Sequence, residues 1–290
     1  MSPKIQVILV PYDSGHRNLR MGAGPEHFVN NGLAQVLESD GHEVFIETIE
    51  AESDFRAEVQ TQFGLYRSLA EHVAEARRNG RFPLILSGNC GATVGVIAAT
   101  NTKRRGVIWF DTHGEFNTPE TTASGFLDGM GLAIATGRCW TTLAASIPSF
   151  QPIPGSDILL VGGHDFDAGE RERLEEAGAH VVDGGTVSQT GVRESLHTAM
   201  AEFGRDFEEV HLHLDLDVLN PGEAPANGFM SENVGLSVNE LSEAIAFIKE
   251  NLNITSATIA SFDPRYDTQG KTLRAALKLI QQMIDGERIS

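Results

Sequence analysis

Two cysteines, Cys90 and Cys139, are the only thiols in 290 residues. So few exclude a disulfide framework and fit a reducing compartment, so a cytoplasmic protein is expected. Positive charge is also scarce: 22 Lys and Arg stand against 40 Asp and Glu, for a formal net charge of −18. Nucleic acids and anionic membranes are bound by clustered Lys and Arg, so neither partner is expected. No apolar run approaches the roughly 18 residues of a membrane span. The opening stretch, MSPKIQVILVPYDSG, has a charge and a short apolar run but no small-residue cleavage site. It reads as a first buried strand, not a signal peptide. Internal repeats, low-complexity segments and linkers are absent as well, so residues 1–290 read as one domain.

What is present is an alternation. Short β-branched runs at 4–10, 42–48, 82–86, 106–110, 157–162, 180–183, 209–214 and 255–262 read as strands. Longer amphipathic segments near 25–39, 54–79, 92–101, 128–137, 168–177, 190–203, 238–250 and 271–285 read as helices. Several strands are apolar nearly throughout, as in Val-Ile-Leu-Val and Val-Ile-Trp-Phe, which suits a parallel sheet buried on both faces. Periodicity alone leaves two architectures open, a closed barrel and a doubly wound open sheet. In both, functional residues gather beyond the C-terminal ends of the strands.

Two strand ends carry ligand chemistry. The run 106–110 leads into Asp111-Thr-His113-Gly-Glu115, whose spacing of two puts three donors on one side of an extended chain. The run 209–214 leads into Asp215-Leu-Asp217, preceded by His213. Carboxylates crowded at the end of a core strand repel one another and lose solvation, and a divalent cation is the usual reason to tolerate them. A third strand end carries Ser87-Gly88-Asn89-Cys90.

These stretches resemble the signatures of the ureohydrolase (arginase and agmatinase) family. Asp111-x-His113-x-Glu115 followed by Asn117-Thr-Pro119 and Ser124-Gly125 is similar to the family's Asp-Ala-His-x-Asp and its substrate loop. His213-Leu-Asp215-Leu-Asp217-Val-Leu-Asn220-Pro221 resembles Ser-x-Asp-x-Asp-x-x-Asp-Pro, and Ser87-Gly-Asn-Cys90 resembles Gly-Gly-Asp-His. Weaker likenesses lie at Gly22–Pro25, at His164–Glu170 and at Ser261–Pro264. The resemblance implies the open architecture: a single three-layer αβα domain with an eight-stranded, mostly parallel sheet. It implies two divalent metal ions, manganese by preference. One would be held by Cys90, Asp111, Glu115 and Asp215, the other by Asp111, His113, Asp215 and Asp217. It further implies hydrolysis of a linear amidine or guanidino compound, arginine-like or N-hydroxyarginine-like, with release of urea or a urea analogue. Asn117, Ser124 and Asp167 would bind the amino-acid end of a small substrate. A homo-oligomer, trimer or hexamer, is implied as well.

The departures are specific. Cys90 stands where the family has a histidine ligand and Glu115 where it has an aspartate, both on the same implied ion. A thiolate favours zinc or iron over manganese. The closest likeness, His113-Gly-Glu-Phe-Asn-Thr-Pro-Glu-Thr-Thr122, is to cysteine-containing amidinohydrolases of N-hydroxyarginine. Ser261 falls where the family glutamate grips the guanidinium, and a hydroxyl supplies no charged, bidentate partner. Asp128 replaces a histidine implied to shuttle protons or contact substrate. It reads as an acid/base or cation-binding group, or as the N-cap of the helix near 128–137. Two other readings stand beside the hydrolase: an inactive relative kept for binding, and an enzyme using Cys90 as nucleophile with His16, His113, His164 or His213 as base. Cys139 reads as structural.

Overall fold

Eight strands pair into one sheet: β1 (Lys4–Val10), β2 (Glu43–Thr48), β3 (Arg81–Ser87), β4 (Arg105–Phe110), β5 (Ile158–Val161), β6 (His180–Val182), β7 (Glu209–Asp215) and β8 (Ile254–Ala260). The order is β2-β1-β3-β8-β7-β4-β5-β6, and every neighbouring pair is parallel. This computed structural model describes residues 2–52, 57–100, 102, 104–204, 206–230 and 234–284. The sheet is open, as the resemblance implies, and wholly parallel.

Helices cover both faces, which is why the strands are apolar on both sides. Ile5, Val7 and Leu9 of β1 join one cluster with Leu33, Leu37, Leu279 and Ile280. Ile8 and Val10 point the other way, against Leu65, Leu69 and Val73 of the long helix Glu58–Arg78. Beyond it, Trp109 of β4 packs with Phe63, Tyr66 and Leu132. Each such side chain taken wholly out of water contributes about 1.5–3 kcal/mol before entropy is charged. Cys139 is buried in that last cluster, as a structural residue would be.

Local chemistry moved several helix boundaries. The segment near 25–39 breaks at Gly32, whose φ of 99° ends the first helix, and becomes Gly24–Asn30 and Leu33–Ser39. The segment near 92–101 is Thr93–Ala98 behind a 3₁₀ turn, Cys90–Ala92. That near 128–137 is a 3₁₀ turn, Asp128–Met130, and then Gly131–Ala135. Before the helix Val192–Phe203 lies an unexpected one, Gly184–Thr190, started by Asp183 accepting the Thr186 N–H. The hairpin Tyr12–Asp13/His16–Arg17 and the helix Thr141–Ala144 were also not expected. The expected start at 54–56 and the end at 285 lie outside the described residues.

The topology places the site. β3, β8, β7 and β4 are adjacent in the centre of the sheet though far apart in sequence. Their C-terminal ends deliver Cys90, Ser261, Asp215 with Asp217, and Asp111 with Glu115 to one place. The reversal of strand order there is what opens a crevice in such sheets.

Candidate metal centre

The turn after β3 is built to hold Cys90. At Gly88 a Cβ would lie 2.3 Å from the Tyr12 carbonyl oxygen and 2.7 Å from the Gly22 backbone, so only glycine fits. Asn89 Oδ1 accepts from Ser14 N–H (2.9 Å) and Gln62 Nε2 (2.6 Å), and its Nδ2 donates to Asp128 Oδ2 (2.7 Å). Asp128 Oδ1 accepts from Gly91 N–H (2.8 Å). Asp128 therefore braces the Cys90 turn across space and does not cap its own helix, which corrects the N-cap reading. The Cys90 thiol is buried and donates to Asp215 Oδ2 (2.8 Å), with Ser261 Oγ at 3.2 Å.

After β4, the Trp109 indole donates to Asp111 Oδ2 (2.8 Å) and His113 N–H donates to Asp111 Oδ1 (2.7 Å). His113 Nδ1 lies 3.3 Å from Asp111 Oδ1 and 3.6 Å from Asp217 Oδ2. Glu115 takes a left-handed backbone (φ 55°), and its carbonyl accepts from Leu132 and Ala133 N–H. Its side chain is turned inward, where Oε2 is buried without a hydrogen-bond partner among the described residues. After β7, Asp215 Oδ1 accepts from Asp217 N–H (2.8 Å) and Oδ2 from Ser261 Oγ (2.6 Å). Asp217 Oδ2 accepts from Asn227 Nδ2 (3.2 Å), and Oδ1 is buried without a partner among the described residues.

The donors converge. Ligand atoms of Asp111, Asp215 and Asp217 lie within 4.8 Å of one another, as do those of Asp111, His113 and Glu115, and those of Cys90, Asp111 and His213. Asp111 belongs to all three groups. Burial, followed by repulsion among neighbouring carboxylates, pushes the acids Glu115 and Asp215 well above the usual carboxylate range. Burial raises Asp217 too, against the pull of His113. The Cys90 thiol is likewise driven up by burial and by Asp215. Burial pulls the His113 imidazole down, but Asp217, Asp111 and Asp215 carry it up to about 10. The protonated His113 is too little charge to offset these carboxylates, and with one thiol, two imidazoles, four carboxylates and two buried oxygens unpaired among the described residues the cluster fits divalent cations.

The nucleophile reading fails on the same facts. No histidine hydrogen-bonds to Cys90 among the described residues, and its thiol is pushed toward the protonated form, away from thiolate reactivity.

The centre floors a cavity of about 570 Å³ whose lining includes His113, Glu115, Asp215 and Asp217 of the implied ligands and Asn117, Ser124, Asp128, Asp167 and Ser261, but not Cys90 or Asp111. Asn117 Nδ2 donates to Asp167 Oδ2 (2.8 Å), so two of the residues expected at the amino-acid end meet, while Ser124 stands exposed at the wall. Ser261 touches two candidate ligands as well as the cavity. Its backbone is left-handed (φ 64°), and its carbonyl accepts from Asn227. Asp128 is buried, and burial lifts its carboxyl to about 7 against the opposing hydrogen bonds from Gly91 and Asn89. Phe126 and Phe229 stack at the mouth (centroids 5.8 Å apart).

Sequence reasoning passed over three supports. Glu170 accepts from Phe116 N–H (2.9 Å) and Asp167 N–H (3.0 Å), tying the 113–117 loop to the 164–170 loop. Asn227 holds Asp217, and Trp109 holds Asp111. Only the Trp109-x-Asp111 spacing was legible beforehand, since residues two apart share a strand face.

Comparison with known proteins agrees with this geometry. The sequence profile of the arginase family matches residues 3–285. The chain is 29% identical to the arginase of Bacillus caldovelox, covering 98% of this chain and 99% of that one. It is 28% identical to the arginase of Bacillus subtilis strain 168, covering 98% of each. The crystal structure of the Bacillus caldovelox arginase superposes with a TM-score of 0.89 over 100% of both chains, at 29% identity. A Bacillus subtilis arginase structure gives 0.90 over 99% of this chain and 100% of its own, at 27% identity.

Proposed function

The chain belongs to the arginase family, and from that premise we propose that it hydrolyses the guanidino C–N bond of an arginine-like amino acid at two divalent metal ions. It is a metal-dependent amidinohydrolase; L-arginine is the first candidate substrate, after the relatives named arginase, and N-hydroxyarginine the second. The observation that carries this reading is the convergence of three ligand groups on Asp111 at the floor of one cavity. Cys90, Asp111, Glu115 and Asp215 would hold one ion, and Asp111, His113, Asp215 and Asp217 the other. Manganese is proposed for the His113 side, and zinc or iron for the softer Cys90 side.

Divalent ions bound there would supply a water of lowered pKa and positive charge to offset the negative charge developing on the substrate. The chain's own groups do the rest. Asn117 and Asp167, already paired, orient the amino-acid end with Ser124. Asp128, with a carboxyl near 7, holds a proton at neutral pH and can pass it to the leaving nitrogen. Ser261 offers no charge to a guanidinium; Asp128 in its ionised form would meet that charge instead of donating a proton. A trimer or hexamer and a cytoplasmic location belong to the same proposal. The location is supported by two free cysteines, and no described helix is long and apolar enough to cross a membrane.

The test is release of urea or hydroxyurea from arginine, N-hydroxyarginine, agmatine and guanidinobutyrate by protein loaded with manganese, iron or zinc. Turnover of an α-amino acid in that panel supports the reading. Silence across it at full metal loading overturns the substrate class, and Ser261 would then mark a pocket for a compound without a guanidinium.

A further inference from the structure

His213 sits on β7 two residues before Asp215, fully buried, and its ring stacks on the Trp109 indole (centroids 3.7 Å apart, planes 20° apart). Its Nδ1 meets Thr93 Oγ1 at 2.7 Å, while Nε2 has no hydrogen-bond partner among the described residues. A second histidine on the same strand face shows what a structural imidazole looks like here. His211 has both nitrogens met, Nδ1 by Ser256 Oγ (2.8 Å) and Nε2 by Thr258 Oγ1 (3.1 Å). His213 differs in having one nitrogen spare, and a ring nitrogen of His213 lies within 4.8 Å of both Cys90 Sγ and an Asp111 oxygen.

We propose that Cys90, Asp111 and His213 bind one borderline-soft divalent ion of the zinc or ferrous iron class, with His213 Nε2 as the imidazole ligand that position 90 lacks. The inference rests on the two-metal reading above and refines one of its sites. The supports match what a ligating imidazole needs. The Thr93 Oγ1 contact at Nδ1 can accept an Nδ1–H, and that tautomer leaves the Nε2 lone pair free, the role an outer hydrogen-bond partner plays for a metal-bound histidine. One indole orients two ligands, since Trp109 stacks on His213 and donates to Asp111 Oδ2. A thiolate, an imidazole and a carboxylate form a donor set that suits zinc or iron better than manganese.

The experiment titrates full-length, metal-free protein with Co²⁺ and follows the thiolate-to-cobalt charge-transfer band, which reports only the ion bonded to Cys90. The band is expected in the wild type and absent in Cys90→Ala. In His213→Phe, which keeps a ring on Trp109, the cobalt affinity read from the band should fall by at least about tenfold, a loss that even outer partners of a ligand can cause. In His211→Gln it should stay within about twofold. Should His213→Phe not fold, zinc X-ray absorption of a His113→Ala variant decides, with imidazole scattering beside one sulfur expected. A folded His213→Phe with unchanged band and affinity, or a sulfur-bound zinc without imidazole, overturns the inference and leaves two-metal hydrolysis standing. A wild type that binds neither cobalt, zinc nor manganese overturns both.

Discussion

Replacing Glu170 with glutamine tests whether the substrate loop is held by one buried carboxylate. Glu170 is 3% exposed and accepts two backbone N–H groups, from Phe116 and Asp167, at 2.9 and 3.0 Å. Gly114 lets it come this close, since a Cβ there would lie 2.6 Å from the Glu170 carboxyl carbon. Glutamine keeps one acceptor oxygen and turns an amide N–H toward the other donor. Leaving one buried donor unmet costs about 1–3 kcal/mol, and Glu170→Ala, which strands both, about 2–6 kcal/mol. In a chain of this size each kcal/mol moves the melting temperature by roughly 2–4 °C, so the glutamine variant should melt about 2–12 °C lower. Phe116 lies between Glu115 and Asn117, so KM should rise along with the loss of stability. Calorimetry with parallel kinetics reads both. A glutamine variant that melts with the wild type, or an alanine variant no worse than glutamine, refutes the reasoning.

Metal binding should release protons. Glu115, Asp215 and Asp217 are raised in the metal-free fold, chiefly by burial, and Asp128 is raised to about 7. Because these folded values lie above the unfolded ones, the stability they contribute is full below about pH 4 and is lost as pH rises through the folded values. Metal-free protein should therefore weaken between about pH 4 and 7, and calorimetry in buffers of different ionisation enthalpy should show proton release on loading; proton uptake would contradict this. At the cavity mouth, Phe229→Ala removes an exposed aromatic stacked on Phe126. Its loss should move stability by no more than about 0.5 kcal/mol. If substrate rests on the pair, KM should rise about 2- to 12-fold, the equivalent of about 0.5–1.5 kcal/mol, with kcat little changed. An unchanged KM would place substrate elsewhere.

The strands were legible because β1, β3, β4 and β7 are buried on both faces and so read as unbroken apolar runs. Their order was not, since nothing local tells β3 to pair with β8 across the intervening chain. The ligand residues were legible because Asp111, His113 and Glu115, like Asp215 and Asp217, alternate at strand ends. Roles that depend on a distant partner were hidden. Asp128 looked like a cap for the helix it begins, yet it reaches across to Asn89 and Gly91. Ser261 looked like a lost substrate grip, yet its hydroxyl donates to Asp215. Glu170 opens the helix Glu170–Glu176 and Asn227 lies in a loop; Glu170 reaches Phe116 and Asn227 reaches Asp217, neither a sequence neighbour, so their use as struts appears only in three dimensions.

The central claim is a two-metal centre with Cys90 among its ligands. Its most direct test is metal content per chain of purified protein supplemented with manganese, iron and zinc, compared with Cys90→Ala. The account predicts two ions per chain in the wild type and one in the variant, the survivor held by Asp111, His113, Asp215 and Asp217. A wild type that takes up no ion, or a Cys90→Ala protein that keeps both as tightly, would contradict it.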